Sequence, residues 1–317
     1  MTIQLSSVNI RRVGAASGRA GSLVRRHERL IARLLLMPSL ISSTIFVYGF
    51  IAFTLVLSFT DSKLLPTFNF VGWDSYAKLW GLNNWHVALQ NLLVFGSLYV
   101  GICVALGLLI AILIDQNIKG ENIFRPIFLY PMALSFIVTG TAWRWFLNPG
   151  LGLERSMHNL GWTDFKFDWI VDSHMAIYTV VIAGVWQSTG FCMAMFLAGL
   201  RSVDREIVKA AAVDGARGIT LYRRIIVPML RSTFLSVFVI QTHLTIKSYD
   251  LVVSLTGGGP GNSTDLPATF MYDYTFTRNQ MGVGSASSIV MLLAVAAVIV
   301  PYLWAELRDR REKGDAK

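Results

Sequence analysis

The chain has 317 residues, is 54% hydrophobic and only 15% charged, and carries a formal net charge of +9. Soluble domains run at about 45–50% apolar and about 25% charged. Here the apolar excess is gathered into long charge-free runs, which excludes an ordinary soluble domain and marks an all-α integral membrane protein.

In chain order, residues 1–29, rich in Ser, Gly, Ala and Arg, read as a basic and mostly disordered tail. A membrane domain over residues 30–305 and a charged tail over 306–317 follow. A helix needs about 20 apolar residues to cross the hydrocarbon core, and six segments supply them. These are Leu34 to Phe59, Val87 to Ile114, Ile123 to Phe146, Met175 to Leu200, Met229 to Leu255 and Met281 to Ala305. The fifth has the shortest charge-free core, Ser232 to Ile246. The first is not read as a cleaved signal peptide, because the basic tail and the apolar run are both too long and no small-x-small site follows.

The connections have distinct characters. Asp61 to His86 holds Trp73, Trp80 and Trp85, read as interfacial belt residues. Residues 148–174 read as a polar loop that opens on turn residues. "TGGGPGNSTD", 256–265, must be irregular backbone with positive-φ turns. Outside the spans or in their first turns, 21 Lys and Arg fall on the side of the termini and five on the other. The positive-inside rule then places both termini, and the loop around Lys209, in the cytoplasm. The same asymmetry explains the net charge without nucleic acid.

Much chemistry is missing. Cys103 and Cys192 lie in apolar runs and read as small buried hydrophobes. His27, His86, His158, His174 and His243 are scattered, so no metal site is expected. No G-x-x-x-x-G-K-[S/T], G-x-S-x-G, H-E-x-x-H or C-x-x-C is present. The chain is expected not to be an enzyme, which leaves a conduit, a carrier or a scaffold.

One polar, basic segment, "KAAAVDGARGITLYRRIIVP" from Lys209 to Pro228, separates the fourth and fifth runs. Asp204 or Ser202 offers an N-cap, and residues 205–213 suit a short helix. Ile207, Ala210, Ala211 and Asp214 share one face of it. Gly215 supplies a stop, and a second short helix runs from Ile219 to Val227. Pro228 suits the first turn of the next span. The alanine face would let another surface approach closely. An amphipathic loop lying on lipid headgroups fits the same residues.

These residues resemble the EAA loop of binding-protein-dependent ATP-binding-cassette importers, whose pattern is roughly E-A-A-x-x-D-G-A and, nine to eleven residues on, I-x-L-P. Ala210, Ala211, Asp214, Gly215, Ala216, Ile225 or Ile226, and Pro228 match. Lys209 stands where the family usually has Glu, and Glu206 lies one turn earlier. "WQSTGFCMAMFLAGLRSVDREI", "WRWFLNPGLGL" and "LTGGGPGNSTDLPATFMY" are similar to maltose-type carbohydrate permeases. "LYPMALSFIVTGTAWRWFLNPGLGLE" and "IKSYDLV" are nearest to glucose/mannose-type ones. The resemblance implies a pore shared with a second homologous permease, and two copies of a cytoplasmic ATPase that bind the ATP, each gripping one coupling loop. It also implies a periplasmic or lipid-anchored sugar-binding protein.

Polar groups inside the spans are costly and so mark candidate contacts for a solute. They are Asn91, Gln187, Gln241, Thr242, His243, Lys247, Tyr249 and Asp250, with Trp186 as an aromatic face beside Gln187. Amides, imidazole and an aromatic plane suit a neutral sugar. Hydrogen bonds between helices would use the same groups. Lys247 and Asp250 are spaced to pair at i, i+3, and Arg144 is expected to snorkel to the outer interface. The rival readings are a secondary carrier, for which Asp250 is the one available coupling carboxylate, and a scaffold without a path. Within the importer reading, a disaccharide, a polyol or glycerol 3-phosphate is an alternative cargo.

Overall fold

The computed structural model describes residues 36–315 except 66, 117, 119 and 217, and no side chain of 205 or 305–315. The expected tail over 1–29 lies outside the described residues. Contacts divide the chain after Val56. Helix α1, Leu36–Ser58, supplies the first unit and carries a π-turn at Thr44–Tyr48. Its large side chains, Ile45, Phe46 and Phe50 among them, are exposed.

The second unit is helical, with one isolated bridge between Thr60 and Phe70. Its elements are α2 (Asp74–Gly81), α3 (Asn83–Asp115), α4 (Glu121–Leu129), α5 (Phe136–Phe146), α6 (Leu153–Asn159) and α7 (Ala176–Arg201). Then come α8 (Arg205–Val213), α9 (Ile219–Met229), α10 (Arg231–Ile246), α11 (Asp250–Leu255), α12 (Pro267–Tyr272) and α13 (Met281–Asp315). Four helices in the described chain, α1, α3, α7 and α13, are long and apolar enough to cross a membrane alone. The pairs α4–α5 and α9–α10 bring the number to six when each counts as one bent span.

Those two bends correct the sequence reading. The third apolar run turns by 98° between α4 and α5, after a 3-10 turn at Tyr130–Ala133. Pro126 and Pro131 each remove a helical N–H, Leu134 is extended, and Ser135 restarts the helix by accepting from Val138 N at 3.3 Å. The fifth run is not one helix from Met229 to Leu255. It bends by 70° at Leu230, ends at Ile246 and resumes as α11. Lys247 and Asp250 do not pair. Lys247 C-caps α10, whereas Asp250 opens α11, where a carboxylate suits the N-terminal dipole. Ser254 fastens α11 to α5 through the Phe136 carbonyl, 3.4 Å away.

The core is the α3–α7 pair, packed through small residues as helices in lipid require. A Cβ on Gly107 would lie 2.5 Å from Cys192 Cβ and 2.9 Å from Met193 N. Tyr99 donates to Ser188 Oγ at 2.7 Å, and Cys103 and Cys192 are buried free thiols as expected. Around α12 a second core forms, in which Trp85 packs on Phe270 at 5.1 Å. Trp85 is fully buried and so does not belong to an interfacial belt, unlike the exposed Trp73 and Trp80.

The loops are built structures. Residues 148–174 contain α6 and are pinned by Phe167 N donating to Glu154 Oε2 at 3.0 Å. In the glycine-rich loop, Gly257, Gly258 and Gly261 take φ of 66°, 88° and 62°. Asn91 on α3 holds that loop by donating to the carbonyls of Asn262 and Asp265 at 3.3 and 3.0 Å. Its role is therefore structural. Burial pushes the Asp265 carboxyl up to about 6, partly offset by a hydrogen bond from Thr269.

Two outcomes follow. Gly107→Val is expected to force α3 and α7 apart at a cost of about 1–3 kcal/mol, read as a lower melting temperature in detergent. Gly101→Ala, which meets no atom within 4 Å, should leave it unchanged. For Asp265 the folded pKa is raised, so its stabilisation is complete below the unfolded value of 3.8 and is lost as pH rises through about 6. The melting temperature of the wild type relative to Asp265→Asn should therefore rise as pH falls through that window.

Candidate functional site

The break between α4 and α5 opens a cavity of about 420 Å³, inside the ~300–1,000 Å³ range of small-molecule sites. Its walls come from the break itself (Met132, Leu134, Ser135, Phe136), from α7 (Gln187, Ser188, Phe191) and from α10 (Ile240, Gln241, Leu244), with Asp250 at the start of α11. The extended backbone at Leu134 leaves its carbonyl outside the helical ladder, and Gln187 Nε2 donates to it at 2.7 Å. Gln187 Oε1 is then left without a partner, and the Gln241 amide lies beside Tyr99 and Cys192. Gln241 is fully buried. A buried amide atom without a partner costs about 1–3 kcal/mol, which makes Gln187 Oε1 a candidate for contact with a polar group at the cavity.

A second hollow of about 260 Å³ shares Leu134 with the first. Trp143 and Trp186 line it and meet edge to face at 5.9 Å. Thus Gln187, Gln241 and Asp250 are brought together and Trp186 lies next door. Three residues expected on the same path are not in either lining. His243 is half-buried with Nδ1 unpartnered, Lys247 is exposed, and Tyr249 packs against Tyr272 with the rings tilted and their centroids 4.9 Å apart. Lys247 and Tyr249 miss because α10 ends at Ile246, and His243 because it lies on a different face of α10 from Gln241. Leu134, Ser135, Phe136, Trp143, Ser188 and Phe191 were not foreseen. The pattern Pro131…Ser135, a helix breaker followed by an N-cap residue, was the available signal for the break.

The polar end beyond α7 folds as its sequence directs. Asp204 Oδ1 caps α8 by accepting from Glu206 N at 2.8 Å. At the other end Ala216 N bonds the Ala211 carbonyl at 2.9 Å and Gly215 N bonds the Ala212 carbonyl at 3.2 Å. This is a Schellman closure, and Gly215 sits in it at φ 84°, a conformation side chains resist. Asp214 is the exposed C-cap residue. On α8, Ala211 is buried while Glu206, Ile207, Lys209 and Ala210 are exposed. Pro228 lies in the last turn of α9, just before the bend at Leu230 that starts α10. Lys209 lines a cavity of about 660 Å³ together with Asp115, Glu121, Arg201 and Tyr222.

Among the described residues no group of three His, Cys, Asp or Glu could hold a metal. The arrangement offers a polar cavity inside an apolar bundle, and a short capped helix at one end.

Comparison with known proteins agrees. A family profile for binding-protein-dependent transport system inner membrane components matches residues 103–313. The chain is 38% identical over 273 residues to a probable ABC transporter permease protein of Pyrococcus horikoshii, covering 86% of this chain and 94% of that one. It is 34% identical over 272 residues to the xylose/arabinose import permease protein XacH of Haloferax volcanii, covering 84% of each. The fold is shared, at TM-score 0.75 and 19% identity over 92% of this chain and 96% of the other, with a bacterial alginate ABC transporter solved in complex with an alginate-pentasaccharide-bound periplasmic protein. The chain belongs to the family of binding-protein-dependent transport system inner membrane components, and is a multi-pass permease subunit of an ABC importer rather than an enzyme.

Proposed function

We propose that this permease carries a neutral sugar, that it forms half of a pore with a second homologous permease, and that α8 is its coupling helix. The observation that carries the reading is the cavity at the broken span, lined by Gln187 and Gln241, with Gln187 Oε1 unpartnered. Amide donors and acceptors flanked by Phe136 and Phe191 suit hydroxyls and the apolar face of a sugar ring. No cationic side chain lines the cavity, and Asp250 does, so an anionic cargo such as glycerol 3-phosphate would be repelled. The motif resemblance favours glucose or mannose, and the Haloferax relative's name favours pentoses. All are neutral polyols that the same amides would serve.

The excess of Lys and Arg on the side of the termini supports a cytoplasmic position for both termini and for α8. There Glu206, Lys209, Ala210, Ala211, Asp214, Gly215, Ala216 and Pro228 would meet one of two ATPase subunits, which bind the ATP. A binding protein, periplasmic or lipid-anchored, would deliver the sugar to the opposite face. ATP binding would favour the outward-open arrangement and hydrolysis would reset it, each by differential affinity for one state.

Two measurements test this. Gln241→Ala and Gln187→Ala should each lower maximal sugar uptake by about threefold to tenfold, the loss of one or two hydrogen bonds, with the affinity of the isolated binding protein unchanged. His243→Ala, outside the cavity, should have a smaller effect. Equal uptake in all three variants and wild type would place the path elsewhere. At the coupling end, Gly215→Pro cannot adopt φ 84° and should abolish sugar-dependent ATP hydrolysis by the assembled transporter, with Asp214→Lys weakening it. Normal hydrolysis in both, with normal membrane insertion, contradicts a docking role for α8.

A further inference from the structure

Three helix ends converge on one side chain next to α8. Arg201 is the last residue of α7. Its Nη2 lies 2.6 Å from Glu121 Oε1, at the first residue of α4, and its Nε lies 3.9 Å from Asp115 Oδ1, at the last residue of α3. The electrostatics are unequal. Glu121 at a helix N-terminus and Arg201 at a C-terminus are each favoured by the helix dipole. Asp115 sits at a C-terminus, where a carboxylate is disfavoured, and Arg201 is the cation that offsets it. The three side chains are only partly exposed, at 43%, 29% and 24% for Arg201, Asp115 and Glu121. They are therefore screened less than a pair in open water.

The clasp matters because of what it joins. Between Arg201 and the capped start of α8 stand only residues 202–204, tied back to α7 by bonds from Ser202 N to Ala198 O and from Val203 N to Leu200 O. Movement of α8 is thus movement of the end of α7. On the other side, α4 leads directly into the break that walls the cavity. Along that path α7 grips the broken span at two further points. A Cβ on Gly190 would collide with the Phe128 carbonyl, so the two backbones touch, and Gln187 holds the Leu134 carbonyl. Of the three fastenings, Arg201 is the one beside α8.

We propose that Arg201 is a positioning residue that links displacement of α8 to the broken span through Glu121 and Asp115, so that work done on α8 reaches the Gln187–Gln241 cavity. This rests on the permease reading above. Removing the clasp would leave α8 able to engage an ATPase but would let α4 lag behind α7. ATP would then be hydrolysed with less sugar moved.

The test uses the complete transporter, both permeases with the ATPase and binding protein, in proteoliposomes, and measures sugar moved per ATP hydrolysed. Arg201→Ala and Arg201→Glu should lower that ratio by about fivefold or more, the lower range of a coupling free energy, while sugar-stimulated hydrolysis persists. Arg201→Lys should keep most of it. The exchanged pair Arg201→Glu with Glu121→Arg should restore it. A ratio equal to wild type in Arg201→Ala and Arg201→Glu overturns the proposal and leaves the permease reading intact. So does an Arg201→Ala complex that fails to assemble and is not restored by the exchange, because the clasp would then be scaffolding alone. A wild-type transporter with no sugar-stimulated hydrolysis would overturn the permease reading and the clasp together.

Discussion

When a helix breaks at Leu134 inside an apolar bundle, one carbonyl loses its intrahelical partner. Such groups cost several kcal/mol in lipid. Gln187 Nε2 answers that carbonyl from α7 at 2.7 Å. The rest of the site follows from this bond. It fixes the break against α7, and it brings Ser135, Phe136 and Gln241 around the same space. A span that would be a plain membrane helix by composition becomes the wall of a cavity.

The bond can persist because α7 itself is held firmly. It packs on α3 through Gly107 and Cys192, touches α4 at Gly190, and carries Tyr99's partner Ser188. Close packing of this kind is bistable rather than continuously deformable. A rigid helix with a cavity partway along and a capped three-turn helix at its end is suited to carry a displacement from one to the other. The chain has no ATPase motif, and its family membership assigns it to transport. On the reading proposed above, a separate ATPase would supply the energy through contact with α8.

Much of this was legible in the sequence, for identifiable reasons. The apolar runs gave the membrane class, because lipid imposes length and apolarity directly. The cap residues Asp204 and Gly215 delimited α8, because caps are local chemistry. Lys247 and Asp250 misled because spacing alone suggested one continuous helix, whereas each charge serves its own helix end. His243 misled for a related reason: the phase of α10 directs it away from Gln241's cavity. Trp85 was misplaced because whether an aromatic packs on Phe270 or faces an interface is decided by residues some 185 positions away in the chain. The clasp of Arg201 with Asp115 and Glu121 was invisible for the same reason. Lys209, which stands where the family resemblance implied Glu, lines a cavity that already holds two carboxylates, Asp115 and Glu121, so a cation there has acidic surroundings within its own chain.

The central claim is that the cavity at the α4–α5 break is a solute path whose access changes with the state of the ATPase. Ser135 lines that cavity, and both native cysteines are buried. The direct measurement is the rate at which a membrane-impermeant thiol reagent modifies Ser135→Cys in the assembled transporter, with and without a trapped ATP analogue and with and without sugar. The account predicts a rate that changes with nucleotide and is slowed by sugar. A rate indifferent to both would contradict it.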